Sequence, residues 1–153
     1  MVQFGGGQLR SVVSVIDDDA DVLEALRVML DVRGYQVEVF RSAEDFLGDL
    51  RGVPSDCLIV DLRLPGMSGI ELQKKVSADH KTPVILLTGH GDLPTAVGAM
   101  KAGAFDFLEK PCLSARLLTA VREAIAFRTG AIEQPQRDEV LQTLTSEERG
   151  VLR

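Results

Sequence analysis

Short apolar stretches that end in charge alternate along this chain with longer stretches whose apolar residues recur at helical spacing. The strand-like segments are residues 11–16, 36–40, 57–60, 84–87 and 104–108. Between and after them the pattern predicts helices over residues 20–33, 43–50, 68–78, 92–102 and 114 to about 127. Five such strand-helix units predict an α/β domain built on a parallel sheet. Segments 57–60 and 84–87 are apolar throughout, as suits central strands covered by helices on both faces.

The helical segments each carry one apolar stripe. In the first it is Val22, Leu23, Leu26, Met29 and Leu30, and Gly34 follows as a residue suited to the left-handed turn past a helix end. The later stripes are Ile70, Leu72 and Val76, then Ala96, Val97 and Met100 with Gly103 as terminator, then Leu117, Leu118, Val121, Ala124 and Ile125. Asp19 and Ser42 stand where N-caps belong, and Glu44 and Asp45 add acids to a first turn, where they favour the helix dipole.

Beyond Arg128 the periodicity fails. Gly130 and the polar Gln134-Pro135-Gln136-Arg137 predict a linker over residues 129–142. Residues 143–153 open with Thr145 or Ser146 ahead of acids, a capping signal that reads as the start of another helix. Residues 1–10 lack the basic head and apolar stretch of a signal peptide and read as a disordered leader.

With 153 residues the chain has room for one domain with an adequate core plus a tail. Its 17 basic and 23 acidic residues give a formal charge of -6, which disfavours this segment as a nucleic-acid grip and favours a protein partner. Cys57 and Cys112 show neither metal-ligand nor disulfide spacing and read as packing residues in a reduced, cytoplasmic setting. No apolar run approaches the roughly 20 residues of a membrane-spanning helix, so no membrane contact is expected.

The candidate chemistry lies where strands run out. Asp17 and Asp18 follow the first strand and Asp61 the third. Burying ionised carboxylates side by side is costly, so these acids are expected at an open strand edge around a cation, and hard oxygen ligands favour Mg2+ over zinc. In an open parallel sheet the ligand crevice lies at the carboxyl ends of the strands, where Thr88 and Lys110 also fall. Asp19 is set apart as a helix cap, and His90, flanked by glycines, is assigned to a loop. Gly66, Gly69, Gly89 and Gly91 read as residues of tight loops, because their spacing is not that of a phosphate-cradling loop.

Four segments carry a family resemblance: Val15-Ile16-Asp17-Asp18-Asp19, Val60-Asp61-Leu62-Arg63-Leu64-Pro65-Gly66-Met67-Ser68-Gly69, Leu87-Thr88-Gly89-His90-Gly91 and Phe107-Leu108-Glu109-Lys110-Pro111. Over residues 11–128 the chain resembles the receiver domains of two-component response regulators, and its wording is similar to the FixJ-like branch. The resemblance implies a flavodoxin-like (CheY-like) doubly wound sheet of five parallel strands in the order 2-1-3-4-5. It implies a LuxR-type helix-turn-helix output domain, of which residues 143–153 look like a truncated opening, so DNA would be reached only through that missing part. It further implies that Asp61 takes a phosphoryl group from a sensor histidine kinase, and that Mg2+ is held by Asp17, Asp18, Asp61 and the Arg63 carbonyl. Lys110 and Thr88 would contact the phosphoryl oxygens, and Thr88 with Phe107 would form the switch. Phosphorylation would reshape the face of the fourth helix and fifth strand and drive homodimerisation. Phe107 stands where the family often has tyrosine, which leaves packing alone to carry the signal. A cis bond before Pro111 is also family-like.

Such a protein is a signalling switch that promotes its own phosphotransfer and slow dephosphorylation, not a turnover enzyme. A phosphohydrolase of the haloacid dehalogenase kind also forms an aspartyl phosphate, but it wants an acid two residues after the nucleophile, where this chain has Arg63. A phosphorylation-independent interaction module would predict an eroded acid cluster, and the cluster is intact.

Overall fold

The computed structural model describes residues 10–49, 51, 54–79, 82–89, 93–110 and 115–130. Most of the expected leader, the linker from residue 131, the 143–153 segment, His90, Gly91, Pro111 and Cys112 lie outside the described residues. Among the described residues, no helix is long and apolar enough to cross a membrane.

The elements run β1 (Val12–Ile16), α1 (Ala20–Val32), β2 (Gln36–Phe40), α2 (Ala43–Leu47), β3 (Cys57–Asp61), α3 (Gly69–Asp79), β4 (Val84–Thr88), α4 (Leu93–Lys101), β5 (Asp106–Glu109) and α5 (Ala115–Arg128). All pairings are parallel and the strand order is β2-β1-β3-β4-β5, as the resemblance implies. Because β2 lies on one side of β1 and β3 on the other, the direction in which successive strands are added to the sheet reverses at β1. That reversal opens a crevice at the carboxyl ends of β1 and β3.

Alternation along each strand sorts its residues between two cores. Cys57 and Ile59 of β3 face one side, with Leu23, Leu26 and Leu30 of α1 and Leu117, Val121 and Ala124 of α5. Leu58 and Val60 face the other, with Leu72 and Val76 of α3 and Val97 and Met100 of α4. The central strands β1, β3 and β4 are buried along their whole length, which explains why they are apolar apart from Ser14 and the strand-end residues Asp61 and Thr88.

Caps close the helices where the sequence places them. Asp19 accepts from the amides of Asp21 and Val22 at 2.9 and 3.4 Å, and Ser42 Oγ accepts from the Asp45 amide at 3.0 Å. Gly34 takes φ +93° beyond α1 and Gly103 takes φ +118° beyond α4.

Most boundaries fall within one residue of expectation, and two differ by more. The second helix ends at Leu47, short of residue 50. Gly48 is a poor helix former, and Asp49 turns its carboxylate onto Arg51, accepting from that residue's amide at 3.2 Å and from its Nε at 2.9 Å. Strand β5 starts at Asp106, not residue 104, because the Ala104 amide donates to the Ala99 carbonyl at 3.1 Å and so closes α4 before joining the sheet.

Candidate functional site

The crevice between β1 and β3 gathers the expected acids. Asp17 directly follows β1, its amide donating to the Phe40 carbonyl at 3.0 Å, so the sheet ladder carries it into the interior. Its Oδ1 accepts from the Asp19 amide at 2.9 Å. Asp18, one residue on, is exposed. Asp61 is the last residue of β3 and is buried, and its Oδ1 accepts from the Arg63 amide at 3.1 Å. The ladder continues past it, with the Leu62 amide donating to the Leu87 carbonyl at 2.8 Å. Carboxylate oxygens of Asp17, Asp18 and Asp61 all lie within 4.8 Å of one another.

Lys110 ties this cluster to the far side of the sheet. Its amide donates to the Thr88 carbonyl at 2.9 Å, fixing the backbone one step beyond β5. Its Nζ then reaches Asp17 Oδ2 at 2.7 Å and donates to Asp61 Oδ2 at 3.0 Å. Asp17 Oδ2 is buried, with Lys110 Nζ as its ion-pair neighbour and no further hydrogen-bond donor among the described residues. An oriented, desolvated oxygen of this kind, beside two further carboxylates, fits a hard divalent cation.

The electrostatics follow from this crowding. Burial pushes the Asp61 carboxyl above its ordinary range. The Lys110 ammonium and the Arg63 amide pull it back only in part, and the nearby Asp17 charge adds to the rise. Burial alone would lower the Lys110 ammonium, but its two carboxylate neighbours outweigh that and hold the proton on it.

Thr88 ends β4, buried, with its hydroxyl donating to the Gly89 carbonyl at 3.1 Å. Phe107 of β5 pairs with Leu86 in register, and both belong to the core on the α3 and α4 side. Thr88, two residues beyond Leu86, faces that same side. The two expected switch residues therefore share one face of the sheet, next to α4. Gly69 is fixed by close approach: its amide donates to the Leu62 carbonyl at 3.2 Å, and a Cβ there would overlap the Asp61 carbonyl oxygen.

Four segments, the ends of β1, β3, β4 and β5, thus meet: Asp17, Asp18, Asp61, Arg63 and Lys110 come together, and Thr88 is joined to Lys110 through its carbonyl. Sequence reasoning missed two residues at the edge of the site, Arg41 and Glu44. Each touches a residue 23 positions away, a separation that leaves no local signal.

The description "Response regulator receiver domain" matches the chain over residues 13–122. The chain is 46% identical over 114 residues to the transcriptional regulatory protein FixJ of Bradyrhizobium diazoefficiens, covering 74% of this chain and 56% of that one. It is 40% identical over 148 residues to the response regulator protein TodT of Pseudomonas putida, covering 94% of this chain and 65% of that one. The chain therefore spans between half and two-thirds of the length of these relatives. Among solved structures, full-length FixJ from B. japonicum superposes with a TM-score of 0.74 at 42% identity, covering 81% of this chain and 62% of that one. A response regulator receiver domain protein from Clostridium thermocellum superposes with a TM-score of 0.73 at 30% identity, covering 80% and 99%. With its strand order, its acidic crevice and these likenesses in agreement, the chain belongs to the response regulator receiver family and carries the receiver domain of a two-component response regulator.

Proposed function

We propose that Asp61 is the phosphoacceptor of this receiver and that a sensor histidine kinase is the donor. The observation that carries this reading is the buried Asp61 carboxylate, held between the Arg63 amide and Lys110 within a cluster of three acids. One Asp61 oxygen attacks the phosphorus of a phosphohistidine. An O–P bond forms as the N–P bond breaks, and its electron pair stays on the imidazole nitrogen, which takes a proton from solvent. Asp17, Asp18, Asp61 and the Arg63 carbonyl would hold Mg2+, which neutralises charge on the phosphoryl oxygens when bound. Lys110 moves its hydrogen bond from the Asp61 carboxylate to a phosphoryl oxygen. Its amide anchor at Thr88 keeps the side chain within reach.

Thr88 gives up its bond to the Gly89 carbonyl and donates to the phosphoryl group. Phe107 fills the space that Thr88 vacates, because both lie on the α4 side of the sheet. The resulting change of the α4 and β5 face promotes a homodimer, a population shift driven by contacts that only the phosphorylated form makes. The receiver spans residues 11–128, the linker 129–142, and residues 143–153 begin a LuxR-type DNA-binding output. The protein works in the cytoplasm as a switch with slow self-dephosphorylation.

Incubation with Mg2+ and acetyl phosphate, followed by intact-mass measurement, tests the reading. A single phosphoryl adduct is expected in the parent and none in Asp61→Asn. A parent whose mass stays unchanged overturns it.

A further inference from the structure

We propose that the turn from β2 into α2, residues 41–44, is a strut that sets the spacing between the two acid-bearing loops. Arg41 directs both Nε and Nη2 to the Asp18 carbonyl, at 3.1 and 3.0 Å. Three residues on, Glu44 Oε2 accepts from the Met67 amide at 2.9 Å. One arm therefore grips the loop after β1, which carries Asp17 and Asp18. The other grips the loop after β3, which follows Asp61 and Arg63.

The base between the arms is rigid. Phe40, the residue before Arg41, accepts from the Asp17 amide, Ser42 caps α2, and Ala43 is fully buried in the core. The loop is shaped to receive the Glu44 arm: Gly66 takes φ +74°, and a Cβ there would lie 2.6 Å from Glu44 Oε2. The Met67 amide also holds the Glu44 carboxyl below its ordinary range, so the arm is charged and its hydrogen bond charge-assisted. Neither Arg41 nor Glu44 touches a reacting atom. They are positioning residues that act through the Asp18 and Met67 backbones, and what they position is the separation of the carboxylates.

This inference rests on the cation-binding reading of the acid cluster, but its geometry can be probed without metal. The experiment uses the full chain and its variants R41A, R41K, E44A, E44Q and R41A/E44A. Mg2+ affinity is measured by calorimetry, the rate of acetyl-phosphate labelling by mass, and backbone amide exchange in metal-free buffer.

R41A and E44A are each expected to weaken Mg2+ binding about tenfold, the range seen when groups supporting metal ligands are removed. E44Q keeps an acceptor oxygen for the Met67 amide and should bind close to the parent. R41K keeps the charge but loses the two-pronged grip and should resemble R41A. The double variant should be little worse than the weaker single, because losing either arm already frees the spacing. Without metal, E44A should speed exchange at Arg63 and Gly69 as well as at Met67.

Parent-like affinity in R41A and E44A, or restoration by R41K, would overturn the strut, as would exchange that quickens at Met67 alone. A parent that neither binds Mg2+ nor takes a phosphoryl group would instead remove the functional reading, and amide exchange would still decide the strut.

Discussion

Lys110 is the only cation whose ion pairs to Asp17 and Asp61 are seen among the described residues, and replacing it by methionine isolates its charge. Methionine keeps most of the aliphatic stem, so packing is largely retained. In metal-free buffer the variant leaves carboxylates within 4.8 Å of one another with the ammonium gone. Two unit charges at that distance repel by about 3 kcal/mol at an effective dielectric of about 20. Solvent reduces this, since the Lys110 side chain is 25% exposed and Asp61 10%, whereas Asp17 is at 0%. A loss of about 2 kcal/mol is therefore expected, somewhat below the range for breaking a fully buried pair.

For a domain of this size that corresponds to a fall in Tm of very roughly 6–10 °C. Thermal and urea melts in chelator measure it. Millimolar Mg2+ should restore much of the loss, because a bound cation takes over the neutralisation. Adding Asp61→Asn to Lys110→Met should also restore it without metal, because one of the repelling charges is gone. A metal-free Lys110→Met protein as stable as the parent would refute the reasoning, as would a double variant no more stable than the single.

Two further outcomes follow from the same geometry. The Asp61 carboxyl holds its proton more tightly folded than unfolded, so its contribution to stability is fully present below the ordinary value of 3.8 and is lost as pH rises through the raised folded value. Asp61→Asn should therefore stabilise the metal-free protein at neutral pH, with a gain that shrinks towards pH 4 in melts across that range; a gain independent of pH would contradict this. Thr88→Val removes one buried hydroxyl and its bond to the Gly89 carbonyl at a cost of about 1 kcal/mol. It should still take a phosphoryl group but no longer dimerise in light scattering, and normal dimerisation would exclude Thr88 from the switch.

The order of strands and helices was legible from the chain alone, because the two periodicities reflect which face each element buries. The caps at Asp19 and Ser42 and the turn at Gly34 were legible too, since their partners lie within a few residues. So was the clustering of Asp17, Asp18 and Asp61, because carboxylates that end central strands have only the sheet edge to occupy. Tertiary structure decided the rest. The end of α2 depends on the Asp49 carboxylate turning onto Arg51, and the start of β5 on the Ala104 amide being taken by α4. Lys110 bridging Asp17 and Asp61, and Arg41 and Glu44 spanning the loops, are contacts between residues remote in sequence. Local pattern reports which face a residue buries, whereas the partner it meets there is fixed only once the sheet has brought distant strand ends together.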